Sequence, residues 1–143
     1  MDLQALKTIR NVFESQEPLV DSTEFEGTTG SLPRSLVVRM SDGVVSEGRF
    51  EVEWDVHGSY YIQYVETEDV RFRFDNHPNP HSPQKHYHPP PDSTSGSSNS
   101  AEPEPSCIQV EKPTLVARAV VKIWREWLEN EDYSVINNLS NPP

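Results

Sequence analysis

The run Val70–Pro91, VRFRFDNHPNPHSPQKHYHPPP, holds four of the chain's five histidines. Within residues 71–91, Arg71, Arg73 and Lys85 stand against Asp75 alone, a charge of +2 before any histidine takes a proton. The whole chain carries −11, so the remainder carries −13. The one cationic island of an acidic protein therefore coincides with its histidine cluster. Histidine, with an ordinary pKa of ~6.5, can both accept and donate a proton near neutrality. Arginine presents a fixed fork of donors to phosphate oxygens. Together they suit metal-free RNA cleavage. A base removes the 2′-OH proton, an acid protonates the leaving 5′-oxygen, and a cation steadies the charge growing on phosphorus.

Strand alternation assigns roles. Val70, Phe72 and Phe74 share one face and suit a core, whereas Arg71, Arg73 and Asp75 share the other. His86 and His88, at i and i+2, project together from an extended chain, with Tyr87 opposite. On this reading the catalytic candidates are Arg71 and Arg73 as phosphate clamp, His86 and His88 as acid and base, and Asp75 as their orienter. Arg73 and His88 are expected at the surface. The candidates for RNA contact are Asn76, His77, His81, Lys85 and Tyr87. Asn76 would meet a sugar or base, and Tyr87 would either stack a base or belong to the core. Pro78, Pro80 and Pro83 forbid a helix, so His77 and His81 are not a helical His-x-x-x-His metal pair.

Two other readings fit the same residues. His86-x-His88 could supply two metal ligands, with Asp75, His77 or His81 completing a shell suited to zinc, nickel or iron. More plainly, a Pro/His-rich segment can be an exposed loop beside a solvated strand face.

Composition bounds the rest. Hydrophobic residues make up 34% of 143 residues and prolines number 13. The usual apolar share is ~45–50%, glycine included, so the compact part is smaller than the chain. One single-domain unit over residues 1–143 is expected, and a large multi-domain enzyme is excluded. No apolar run reaches ~18 residues and no basic-plus-apolar leader follows Met1, so neither a membrane span nor a signal peptide is expected. One cysteine, Cys107, excludes an internal disulfide and a Cys-rich zinc site. A cytoplasmic location follows by default. Acidity with only four lysines (Lys7, Lys85, Lys112, Lys122) fits a halophilic, high-salt cytoplasm, where repulsion is screened within ~3 Å at 1 M. Acidic tails on a protein from an ordinary cytoplasm would give the same balance. Either way, broad salt-driven nucleic-acid binding is disfavoured, while a local phosphate site is not.

The elements that must position the cluster follow from periodicity. Residues 2–15 place Leu3, Leu6, Ile9 and Phe13 at helical spacing, with Asp2 as cap and Pro18 as stop. Residues 16–34 read as an acidic loop. Ser35–Met40, Arg49–Val56, Tyr60–Val65 and Val70–Asn76 read as strands, with Asp42-Gly43 as a hairpin turn. Residues 89–106, with five prolines, six serines and a single alanine, read as a flexible insertion. Residues 114–130 form the strongest helix, with Val116, Val120, Ile123 and Trp127 as its seam and Thr114 as its cap. The expected fold is α+β, a single antiparallel sheet of about four strands covered by an N-terminal and a C-terminal helix in two layers.

The segments Arg73-Phe74-Asp75-Asn76, Pro78, His81 and Lys85-His86-Tyr87-His88 resemble the signature of TumE-type toxins. More loosely, the resemblance runs from the Leu36–Met40 strand to the C-terminal helix. It implies the toxin of a type II toxin–antitoxin module, with RNA as its target. Its implied partner is a cognate antitoxin, expected to be of helix-turn-helix type. The site is expected to work without metal or cofactor. The alternative from another class is a non-catalytic adaptor whose metal-organised His-rich loop recognises a protein. The Arg71/Arg73 pair separates the two, because phosphate chemistry needs it and a metal loop does not.

Overall fold

The computed structural model describes residues 1–29, 32–77, 84–90 and 104–138. Helix α1 is Leu3–Gln16 and helix α2 is Pro113–Asn130. Between them run β1 (Val20–Thr29), β2 (Leu32–Met40), β3 (Arg49–Trp54), β4 (Tyr60–Val65), β5 (Arg71–Asn76), β6 (Lys85–His88) and β7 (Glu104–Pro105). They form one antiparallel sheet in chain order, β1 to β7, with no crossover. A 3-10 turn, Tyr133–Val135, follows α2. No described helix is long and apolar enough to cross a membrane.

Alternation decides which face is covered. Phe50, Val52 and Trp54 of β3, Tyr60, Ile62 and Tyr64 of β4, and Phe72 and Phe74 of β5 point to one side and join the buried core. Both helices lay their apolar stripes there. Phe13 of α1 meets Phe50 at 5.0 Å between ring centroids, and Trp127 of α2 meets Tyr64 at 5.5 Å and Phe72 at 5.6 Å. Asp2 caps α1, its carboxylate accepting from the Ala5 N–H at 3.0 Å. The α1 and α2 ends are tied by a bidentate ion pair between Arg125 and the buried Glu17, with Arg125 Nε 3.1 Å from Glu17 Oε2.

The two-layer α+β expectation holds, but the sheet has seven strands where about four were expected. β1 occupies most of the segment expected to be an acidic loop. Only Val20 and Phe25 mark its inward side, and a register shift after Val20 puts them out of step, so hydrophobic alternation is too weak to reveal it. What fixes β1 is pairing with β2: Glu24 and Glu26 face outward and engage Arg39, while Phe25 sits opposite Leu36. β6 carries Tyr87 as its sole apolar residue, and β7 has two residues, too short for any period to show. The Asp42-Gly43 turn is likewise replaced by an eight-residue connection, 41–48. Its backbone N–H groups at Val44, Val45 and Ser46 donate to the Glu66 carboxylate at 2.8–3.1 Å. α2 begins at Pro113, with Lys112 at the cap position and no side-chain capping bond, so Thr114 is not its cap. Of the expected insertion, residues 91–103 lie outside the described residues, whereas Glu104 and Pro105 pair with β6.

Candidate active site

Cross-strand register assembles the cluster. Arg73 of β5 lies opposite His88 of β6, and Asp75 lies opposite His86. All four sit on the sheet face turned away from the helices, since their neighbours Phe74 and Tyr87 belong to the core. On the other flank β4 places Gln63 opposite Arg73 and Tyr61 opposite Asp75. The hairpin geometry alone therefore brings one guanidinium, one carboxylate and two imidazoles into contact.

Asp75 is the hub, 2% exposed. Its Oδ2 lies 3.0 Å from His88 Nε2, 3.3 Å from His86 Nε2 and 3.8 Å from His77 Nε2. Arg73 Nε donates to Oδ2 at 3.1 Å and lies 3.0 Å from Oδ1. Arg73 Nη2 reaches His88 Nε2 at 2.9 Å. Beyond the ion pair, the guanidinium carbon lies 5.1 Å from the centre of the Tyr61 ring, a distance at which a cation is attracted to the ring face. Tyr61 in turn donates to the Gln63 side chain. Burial pushes the Tyr61 phenol up, and the nearby Arg73 charge opposes part of that rise.

One nitrogen carries the chemical meaning. A guanidinium can only donate, so the Arg73–His88 bond requires a lone pair on His88 Nε2. A carboxylate can only accept, so the His88–Asp75 bond requires a proton on that same Nε2. The two bonds are alternatives, and each corresponds to one protonation state of one atom. Neutral His88 with Nε2 bare holds Arg73; His88 with Nε2 protonated holds Asp75. Both partners are already within 3.0 Å.

The structure sorts the sequence candidates. Arg73, Asp75, His86 and His88 come together, and His77 joins them from the rim, its ring edge-on to His86 at 4.8 Å. Arg71 lies two pairs further along the ladder, opposite Val65, and is half-buried. Asn76, Lys85 and Tyr87 take the other face. Asn76 donates to the Gly58 carbonyl at 3.2 Å and accepts from Gln84 at 3.0 Å, clipping two loops together. Lys85 bonds Glu111 at 2.9 Å, and Tyr87 is core, 5.0 Å from Phe74. His81 lies outside the described residues. The expectation that Arg73 and His88 are exposed is corrected: their side chains are 11% and 10% exposed. Alternation gives the face of a residue but not what closes over it. Tyr61 and Gln63 were missed as site neighbours, because only the β4–β5 register places them there.

The family model described as Toxin TumE matches residues 9–131. No curated protein and no solved structure matches the chain.

Proposed function

The chain belongs to the TumE toxin family, and on that premise we propose that it is the toxin of a type II toxin–antitoxin module, cleaving RNA at the Arg73–Asp75–His86–His88 cluster under the control of a cognate antitoxin. The observation that carries this reading is the position of His88 Nε2, 2.9 Å from a donor and 3.0 Å from an acceptor.

In the proposed reaction, neutral His88 takes the proton of a ribose 2′-OH at Nε2. The 2′-oxygen attacks the adjacent phosphorus and the P–O5′ bond breaks. Protonated His86 gives its proton to the departing 5′-oxygen, leaving a 2′,3′-cyclic phosphate and a 5′-hydroxyl. Proton uptake at His88 has a second effect. It ends the bond from Arg73 and makes one to Asp75, so Arg73 Nη2 is released as negative charge builds on the phosphoryl oxygens. A donor freed when charge develops stabilises the transition state more than the ground state. Asp75 steadies whichever imidazole is charged.

The test is cleavage of RNA by purified protein, with product ends analysed for 2′,3′-cyclic phosphate. Cleavage should persist in chelator, and induction should arrest growth unless the antitoxin is co-expressed. RNA left intact by folded protein under these conditions would overturn the reading.

A further inference from the structure

We infer that Asp75, His77 and His86 form a binding site for one zinc-class divalent cation, and that its occupation silences the cluster. The inhibitory consequence rests on the ribonuclease reading; the binding does not.

The ligand atoms of these three residues lie within 4.8 Å of one another. A tetrahedral ion with bonds of ~2.0–2.1 Å needs ligand–ligand edges of about 3.3–3.4 Å. His86 Nε2 and Asp75 Oδ2 stand at 3.3 Å, and His77 Nε2 and Asp75 Oδ2 at 3.8 Å. One edge thus has the required length, and the exposed His77 ring must swing inward by a few tenths of an ångström or more to close the other two, which lie within 4.8 Å. Two imidazoles and one carboxylate leave a fourth position for water, the composition that zinc and its neighbours favour and that magnesium or calcium does not.

Electrostatics favours an ion at the same point. The Nε2 atoms of His77, His86 and His88 all approach one carboxylate oxygen. Each must bring a proton there or set a lone pair against the lone pairs of Asp75. A divalent cation between His86, His77 and Asp75 would take lone pairs from two of those imidazoles and from the carboxylate together. Among the described residues, His77 is the exposed member: its side chain is 46% exposed, whereas the side chains of Asp75 and His86 are each 3% exposed. A rim ligand with two buried ones describes a cation recruited from solvent and then held. An ion on His86 Nε2 occupies the lone pair that the proposed acid needs for its proton, so cleavage stops.

The experiment uses full-length, tag-free protein stripped with chelator. Zinc chloride is titrated by calorimetry, and cobalt chloride by its visible absorption. One ion per chain is expected, with a cobalt spectrum of nitrogen–oxygen coordination. His77→Ala, at an exposed position that should fold normally, should weaken binding at least tenfold, the scale seen when a metal site loses supporting groups. His57→Ala, an exposed histidine elsewhere, should leave it unchanged. No saturable binding, or equal binding by His77→Ala, overturns the site. In RNA cleavage, zinc should inhibit the parent, and half-inhibition of His77→Ala should need at least tenfold more; zinc activation overturns the inhibitory role. Protein that binds zinc but never cleaves RNA would sink the ribonuclease reading while leaving the site standing.

Discussion

Arg73 Nη2 lies 2.9 Å from His88 Nε2, a distance that ties guanidinium and imidazole to each other across the β5–β6 ladder. Neither residue acts alone in such an arrangement. The guanidinium reports the protonation of the imidazole, because only a bare Nε2 accepts its hydrogen.

Glutamine at position 88 separates proton transfer from packing. Its amide can accept from Arg73 and donate to Asp75, yet cannot carry a proton between them. His88→Gln should melt within about 1 kcal/mol of the parent, since both buried partners keep a hydrogen bond. RNA cleavage should nevertheless fall ~10²–10⁴-fold, the usual share of a general base or acid. Arg73→Lys keeps the charge but loses the fork, and should stay impaired. Thermal melts and cleavage rates for both variants give the answer. A His88→Gln protein as active as the parent would remove His88 from the chemistry.

Glu66 organises the long β2–β3 connection from outside it. Three successive N–H groups, at Val44, Val45 and Ser46, point at its carboxylate, and the Tyr64 hydroxyl donates to it at 2.6 Å. Glu66→Ala leaves those donors without the acceptor and should cost about 1–3 kcal/mol. Urea unfolding measures this. Amide exchange should quicken first at residues 44–46, ahead of β3.

Arg125 neutralises the buried Glu17 carboxylate where α1 ends. Removing one partner of a buried pair typically costs ~3–5 kcal/mol. Arg125 is itself 34% exposed, so water can reach the vacated position and Arg125→Ala should cost less, about 2–3 kcal/mol. The double variant Glu17→Gln/Arg125→Ala should recover part of that loss. Denaturant midpoints of the three proteins decide it, and a double variant no better than Arg125→Ala would show that packing, not charge, matters here.

Alkaline pH should unfold the protein through its phenols. Burial is the largest influence on Tyr60, Tyr64 and Tyr87 and raises all three; Glu66 adds to the rise at Tyr64. A group whose folded pKa is raised contributes its full stability below the unfolded value, here ~10. Above ~10 the unfolded chain ionises these three phenols while the folded one holds them protonated to higher pH, so stability falls with rising pH. Absorbance of phenolate and far-ultraviolet circular dichroism, followed together, should show these phenols titrating in step with unfolding. Ionisation of all of them with the fold intact would contradict it.

The legible parts of the molecule were those where apolar side chains keep time. β3, β4, β5 and both helices each repeat a large apolar residue at the right interval, so their positions and covered face could be read directly. β1 carries only Val20 and Phe25, out of step across a register shift, and β6 only Tyr87; partners hold them, Arg39 for the glutamates of β1 and the β5 ladder for β6. Side-chain types and i, i+2 spacing singled out the histidines and arginines of the cluster. Which candidates would converge depended on register, which no single strand contains: one residue of slip would have put Tyr87 beside Asp75 and the histidines into the core.

Strand order that follows the chain has a kinetic consequence. The hairpins from β1 to β6 each close a connection of eight residues or fewer, whereas α1 and α2 pack together across the whole stretch between Gln16 and Pro113. Contacts of low sequence separation form early at little loop-closure cost, and those of high separation form late. The β3–β4–β5 hairpins should therefore be present in the folding transition state, and the docking of Trp124 and Trp127 largely absent from it. Substitutions in α2 would then accelerate unfolding and barely slow folding, so the lifetime of the native protein is set at its tryptophans rather than in its sheet.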